Sequence, residues 1–202
     1  TDNFVAFLAC GIVPWIWINR TINNAMSSII NGYNLMLNVS FPKILLPLVV
    51  IIQDSVKQLA VFFVLLVLLA FYHRISIYWT LLPFIIIIQF LFVSAAALVV
   101  SAIVPFLPDL RYIVHALLQL TMLCSGIFYD FRIIPEQYQF YYLLNPIASA
   151  IESYRDILFY NRLPSLGRLF YILSISIILF YLAFILLRKF NSIYPKVITN
   201  SV

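Results

Sequence analysis

Apolar residues run in long blocks along this chain, and polar residues gather in the breaks between them. The blocks stand at Phe4 to Asn31, Ile44 to Phe71, Ile77 to Val104, Leu110 to Phe128 and Arg168 to Leu187. A helix needs about 20 mostly apolar residues to cross roughly 30 Å of hydrocarbon. The pattern predicts an all-α integral membrane protein with five transmembrane helices. The stretch from Asp130 to Asn161 interrupts it. It is too polar to cross, with Asp130, Arg132, Glu136, Glu152, Arg155 and Asp156, and too aromatic for a solvated linker. Pro135 can open one short helix. Asn145 and Pro146 can end it and start a second, as N-cap and first-turn proline. Two short re-entrant or interfacial helices are therefore expected before the last span. Their aromatic residues suit either an interfacial belt or a stacking surface for sugar rings.

Two spans carry polar faces. At about 100° per residue, Arg20, Asn23, Asn24, Ser27 and Asn31 fall on one side of the first. Such a face at membrane depth must look at protein or water. In the fourth, Arg111, His115, Gln119, Met122, Gly126 and Tyr129 recur at spacings of four and three, an arc of about 80°. This stripe suits a substrate channel or a packed helix interface. Asp54 and Lys57 stand three apart and can pair in the second span. Ala97 and Ser101 allow a close helix approach in the third. Ser40 is a candidate cap for the second span with Pro42 in its first turn, and Asp109 a candidate cap for the fourth.

Composition narrows the class further. Hydrophobic residues make up 64% and charged residues 9% of the 202, against about 25% charged in a soluble domain. The whole chain, 1–202, reads as a single transmembrane domain with no room for a soluble one beside it. The net charge of +5 comes from basic residues at segment ends. Anchoring to headgroups explains them, and no nucleic-acid partner is expected. Lys43, Arg111, Arg188, Lys189 and Lys196 balance Arg74, Arg132, Arg155, Arg162 and Arg168 on the other side, so charge counting does not orient the protein. Cys10 and Cys124 lie within apolar runs, and no disulfide is expected.

Catalytic chemistry is not visible. His115 has no second His, Cys or carboxylate at metal-ligand spacing. There is no G-x-x-x-x-G-K-[ST] or G-x-G-x-x-G, and four glycines cannot build a phosphate cradle. No nucleophile–base pair stands out. The chain reads as a transport subunit without its own ATPase site, catalytic residue, metal or directly bound cofactor. A membrane-embedded glycolipid enzyme or a structural assembly subunit is the reading from another class. The enzyme would need an acid–base cluster that the sequence does not display.

Several short motifs, in order, carry a resemblance. They are FLACGIVPW at 7–15, NVSFPKILLP at 38–47, DLR at 109–111, SGIFY at 125–129, Ile134-Pro135, LNP at 144–146 and Tyr154-Arg155. The set resembles the membrane subunits of bacterial polysaccharide-exporting ABC transporters, a type 2 exporter family serving O-antigen, teichoic acid or capsule. The resemblance implies six spans with cytoplasmic termini in the full protein, so a leading amphipathic helix and a first span are expected ahead of this chain. It implies a homodimer in the bacterial inner membrane, two ATP-binding subunits that use ATP and magnesium, and a lipid-linked polysaccharide substrate. Residues 31–43 would form the cytoplasmic coupling connection, with Asn38, Phe41, Pro42 and Lys43 facing the ATPase. Residues 130–161 would form periplasmic gate helices. Arg111, His115, Gln119, Met122, Phe128, Tyr129 and Tyr142 are the expected channel residues. A lipid or drug cargo is the alternative within the same fold. Two departures stand out: Pro108 where the family carries Arg, and Gly126 where it carries Pro, the latter expected to soften the gate hinge.

Overall fold

Proline sits near the middle of the first helix, and two glutamines from other helices donate to carbonyls beside it. Pro14 lies inside α1 (Asp2–Asn31). Gln58 donates through Nε2 to the Val13 carbonyl at 2.9 Å, and Gln89 donates to the Pro14 carbonyl at 2.8 Å. Those residues belong to α2 (Leu45–Tyr72) and α3 (Leu82–Ile103). Without water to bond them, polar groups at membrane depth must find partners in protein, so the bonds stitch α1 to both neighbours. The computed structural model describes residues 2–32, 41–72 and 76–190, together with Leu35 and Tyr194. A 3-10 turn at Ile77–Leu81 leads into α3. The chain continues with α4 (Leu110–Cys124), a 3-10 turn at Phe131–Ile133, α5 (Glu136–Leu143), α6 (Pro146–Leu158) and α7 (Leu166–Phe190). Among the described residues there is no strand.

Helix α1 is central. It packs on α2, α3 and α6, while α7 lies along α3. Ala97 and Ser101 are buried on α3, as their small size requires for a close helix contact. Outer faces of α2 and α7 remain apolar and exposed, with Phe63, Val64, Phe71, Phe170, Ile178 and Tyr181 among them. Apolar surface on a long helix suits lipid. Among the described residues four elements are long and apolar enough to cross a membrane: Phe4–Asn31, Leu45–Phe71, Ile77–Ile103 and Leu166–Phe190. The fourth apolar run behaves differently. Its helix, α4, has 15 residues, about 22 Å at 1.5 Å each, shorter than the roughly 30 Å hydrocarbon layer.

The two short helices expected before the last span are both present. Asn145 is the N-cap of α6, its Oδ1 accepting from the Ile147 N–H at 2.9 Å, with Pro146 in the first turn. Pro135 stands at the start of α5. Every residue of α6 from Ile147 to Leu158 is buried, so this helix lies inside protein, where backbone that does not span is tolerated. Three local expectations differ. The cap expected from Ser40 lies outside the described residues. Pro42 precedes α2 rather than entering it, its carbonyl accepting from the Leu45 N–H at 3.1 Å, and Pro47 occupies the first turn instead. Asp109 stands at the N-cap position of α4 but its side chain makes no cap bond, because its backbone is helical.

Asn145 holds two elements at once, since its Nδ2 also donates to Ser125 Oγ at 3.0 Å. Asn145→Ala is expected to destabilise the protein by about 1–2 kcal/mol, read as thermal unfolding in detergent. Asn145→Asp keeps the cap but not the Ser125 link, and should fall between the two.

Candidate functional site

After Cys124 the chain leaves helical geometry, and one residue makes that possible. Gly126 has φ of +68°, a conformation that proline, fixed near −65°, cannot adopt. A Cβ at Gly126 would lie 2.1 Å from the Tyr142 hydroxyl. That hydroxyl donates to the Ser125 carbonyl at 2.9 Å. Burial pushes the Tyr142 phenol far above its ordinary range, which keeps the proton in place to donate. The glycine therefore does not loosen this segment; it admits the ring that pins it. Gly126 and Tyr129, expected to continue the α4 stripe, lie beyond the end of the helix.

The same turn is held from below by Arg155 on α6, which is fully buried. Its Nη1 donates to the Gly126 carbonyl at 2.7 Å and pairs with Glu152 at 2.8 Å; its Nη2 donates to the Ile127 carbonyl at 2.8 Å. Its guanidinium carbon lies 3.6 Å from the centre of the Phe7 ring on α1. A buried charge is tolerated when paired and hydrogen-bonded, and the planar fork of arginine suits several carbonyls at once. Burial pushes the Glu152 carboxyl above the usual carboxylate range, against the pull of Arg155. A neighbouring carboxylate, Asp156, is also buried and pairs with Arg162 at 2.5 Å and with Arg168.

Above this clamp opens an aromatic hollow of about 390 Å³, lined by Phe4, Phe7, Phe128, Tyr129, Phe159 and Tyr160, with Asp130 and Ile133. Phe7 meets Phe159 edge-on at 5.5 Å, and Phe159 meets Tyr160 edge-on at 5.1 Å. Tyr160 donates its hydroxyl to Asp130 at 2.6 Å, and Arg132 lies 4.2 Å above the Tyr160 ring. Burial, followed by the Asp130 bond, raises the Tyr160 phenol beyond its ordinary range, consistent with a donor that keeps its proton. Aromatic faces with a carboxylate at the rim can stack on the C–H faces of a sugar and accept from its hydroxyls.

The residues singled out from sequence divide between several places. Phe128 and Tyr129 line the hollow. Tyr142 does not; its ring lies parallel to Phe131 at 6.3 Å and closes the Gly126 turn. Tyr138, Phe140 and Tyr141 face outward from α5, as a belt requires. On α4, His115 and Gln119 are exposed and bonded at 3.0 Å, while His115 also reaches Asn23 Oδ1 at 3.3 Å. Met122 packs against the core, and Arg111 donates to the Pro108 carbonyl at 3.2 Å. Asn23 continues into the polar face of α1. There Asp54, 2% exposed, takes Arg20 at 3.7 Å and the expected Lys57 at 3.6 Å. Of the coupling residues, Asn38 lies outside the described residues. Pro42 and Lys43 line a shallow hollow with Phe184 and Arg188, and Lys43 lies 5.0 Å over the Phe41 ring. Among the described residues no group of three or more His, Cys, Asp or Glu could hold a metal.

Sequence reading missed Phe4, Phe7, Phe159, Tyr160 and Asp130 as one site, because they come from three separated segments. Arg155 entered as part of a motif and as one of the polar residues of the 130–161 stretch, not as a buried anchor. Its three-residue spacing from Glu152, among Ala148, Ala150 and Ile151, was the local signal for a buried pair.

Known proteins resemble this chain in sequence. The family model for the ABC-2 type transporter matches residues 8–159. The O-antigen export system permease protein RfbA of Myxococcus xanthus is 28% identical over 184 residues, covering 90% of this chain and 71% of that protein. Two Klebsiella pneumoniae proteins of the same name are 29% identical over 157 residues, covering 77% of this chain and 61% of their own length. The chain thus spans less than two thirds of the Klebsiella proteins.

Two outcomes test the clamp. Gly126→Ala should sharply reduce folded protein, and Tyr142→Phe in the same chain should recover part of it by removing the clashing hydroxyl; size-exclusion yield reads both. Arg155→Met should cost about 3–5 kcal/mol by leaving Glu152 buried without its partner. Adding Glu152→Met should return part of that loss in thermal unfolding, and a double variant no more stable than the single would count against the pairing.

Proposed function

The chain belongs to the ABC-2 type transporter family, and from that premise we propose that it is the membrane-spanning subunit of an ATP-driven exporter of lipid-linked polysaccharide, of the O-antigen type. The observation that carries the cargo is the aromatic hollow. Six rings gathered from α1, the turn after α4 and the end of α6 face one space beside a carboxylate. Stacking on C–H faces does not read one hydroxyl pattern, which suits a long polymer that must slide. Each aromatic contact contributes on the order of 1 kcal/mol, enough to guide the chain and weak enough to release it. The names of the relatives support the same cargo.

The sequence carries no phosphate loop, so hydrolysis falls to a separate ATP-binding subunit. In the working transporter two copies of this chain pair in the bacterial inner membrane and two ATPase subunits dock from the cytoplasm. Phe41, Pro42 and Lys43, at the same end as Arg188, are the described part of the proposed coupling connection. The break after α4 and the buried α6 form the gate on the opposite side, with the aromatic hollow as its polymer contact.

A second reading, lipid or drug export, has one observation in its favour. An apolar hollow of about 320 Å³ lies between Leu81, Phe84, Ile85 and Leu163, Pro164, Leu169. It suits an acyl or polyprenyl tail, and such a tail is also part of a lipid-linked polymer.

Phe128→Ala and Tyr129→Ala, made singly, are expected to cut surface polysaccharide about fivefold each at matched protein level, the loss of roughly 1 kcal/mol of contact. ATP hydrolysis by the permease–ATPase complex should continue. Unchanged export in both variants would assign the rings to the interfacial belt and favour the second reading.

A further inference from the structure

The first half of α2 and the second half of α1 enclose a hollow of about 420 Å³ whose character is opposite to that of the aromatic one. Its walls include Asn23, Asn24, Ser27, Gln53, Asp54 and Lys57. Phe7 and Asn24 are about 25 Å apart along α1, so the two hollows lie toward opposite ends of one spanning helix. The polar hollow sits at the end that carries the proposed coupling connection.

The protein consumes only part of this polarity itself. Asn23 is engaged by Asn19 and His115, but Asn24, which donates its Nδ2 to Asp54 at 2.7 Å, keeps its amide oxygen as an acceptor. Among the described residues the side chains of Ser27 and Gln53 make no hydrogen bond. Lipid cannot satisfy amides and hydroxyls; water or a polar ligand must. The charges narrow the ligand. Arg20 and Lys57 are both engaged by the carboxylate of Asp54, so the cluster carries a net charge of only about +1, too little for the two or more free cations that a pyrophosphate favours. Amide donors, amide acceptors, a serine hydroxyl and a carboxylate are instead the set that meets sugar hydroxyls, which donate and accept in equal measure. The set extends toward α4 through the Asn23–His115–Gln119 bonds, giving a polar track wider than one sugar.

We propose that this amide-lined hollow binds the hydroxyls of sugar residues on the lipid-linked polymer as it enters, at the opposite end of α1 from the aromatic hollow. The proposal rests on the polysaccharide reading above. Hydroxyl edges are held at entry and ring faces at exit, so the polymer meets hydrogen bonds first and stacking second.

The test uses the full-length permease with its ATPase in cells that make the polysaccharide. A photoreactive benzophenone side chain is placed at Gln53, which is exposed, and in a separate strain at Tyr129. After illumination the purified permease is stained for attached glycan. Glycan at Gln53 that disappears in a strain unable to start the polymer is the expected result. Glycan at Tyr129 alone overturns the amide hollow and leaves the exporter reading intact. Glycan at neither position overturns both. A second measurement avoids the bulky probe. Gln53→Cys should be alkylated by a membrane-impermeant maleimide in inverted vesicles, and at least fivefold more slowly in vesicles holding lipid-linked polymer. Equal rates with and without polymer contradict the proposal.

Discussion

A single guanidinium, buried away from solvent, ties α6 to α1 and to the break after α4. Arg155 must be satisfied where it stands, and its partners come from three different parts of the chain. Glu152 neutralises it from one turn earlier on α6. The carbonyls of Gly126 and Ile127 accept from it at the break after α4. Phe7 on α1 covers its face. Removing any of these leaves a charged group short of partners in a low-dielectric place, where the penalty is largest. That constraint reaches two glycines as well. A Cβ on Gly11 would come within 2.9 Å of Nη2 of Arg155, and one on Gly126 would meet Tyr142. The aromatic hollow inherits its shape from the same clamp, because Phe7 is both the lid on Arg155 and a wall of the hollow.

Polar groups elsewhere follow the same rule of mutual satisfaction. Helix α1 is held to α2 and α3 by glutamine side chains on its own carbonyls near Pro14, and farther along by Asp54, Arg20 and Asn24. Only toward the Asn31 end does the polar face stop finding protein partners and open into a hollow. The outward faces of α2 and α7 carry apolar residues that need only lipid. One helix therefore supplies a wall to the polar hollow and a wall to the aromatic one, with a buried hydrophobic core between them. Such a division suits the proposed polymer export, in which polar cargo must be received and released at opposite faces of a layer it cannot enter unaided.

Much of the fold was legible because a bilayer is a severe solvent. Helix length and apolar runs located α1, α2, α7 and, with its leading 3-10 turn, α3 within a few residues, and Asn145-Pro146 marked the start of α6 correctly. The fourth run was overestimated, since apolar composition persists through Phe128 while the helix ends at Cys124. What ends it is Gly126 in the left-handed conformation, a local stop signal that Tyr142, fitted beside it, locks in place. The polar faces of α1 and α4 were visible as stripes, and their meeting at Asn23 and His115 follows from neither stripe alone. Tyr142 shares its residue type and neighbourhood with Tyr141, yet one is exposed and the other wedges a turn. The difference is set by which side of α5 faces α4. A side chain's place was thus legible where it depends on its own helix, and hidden where it depends on a distant one.

Hydrogen exchange of the intact transporter in lipid reads the clamp most directly, because amides exchange according to how readily their element opens. If Arg155 anchors α6 to α1 and to the break after α4, the amides of Ile147–Leu158 should exchange as slowly as those in the middle of α1, while the outward-facing Glu136–Leu143 exchanges much faster. Equal and rapid exchange across both short helices would contradict the account, because it would mean that they open together and that no buried arginine holds the second in place.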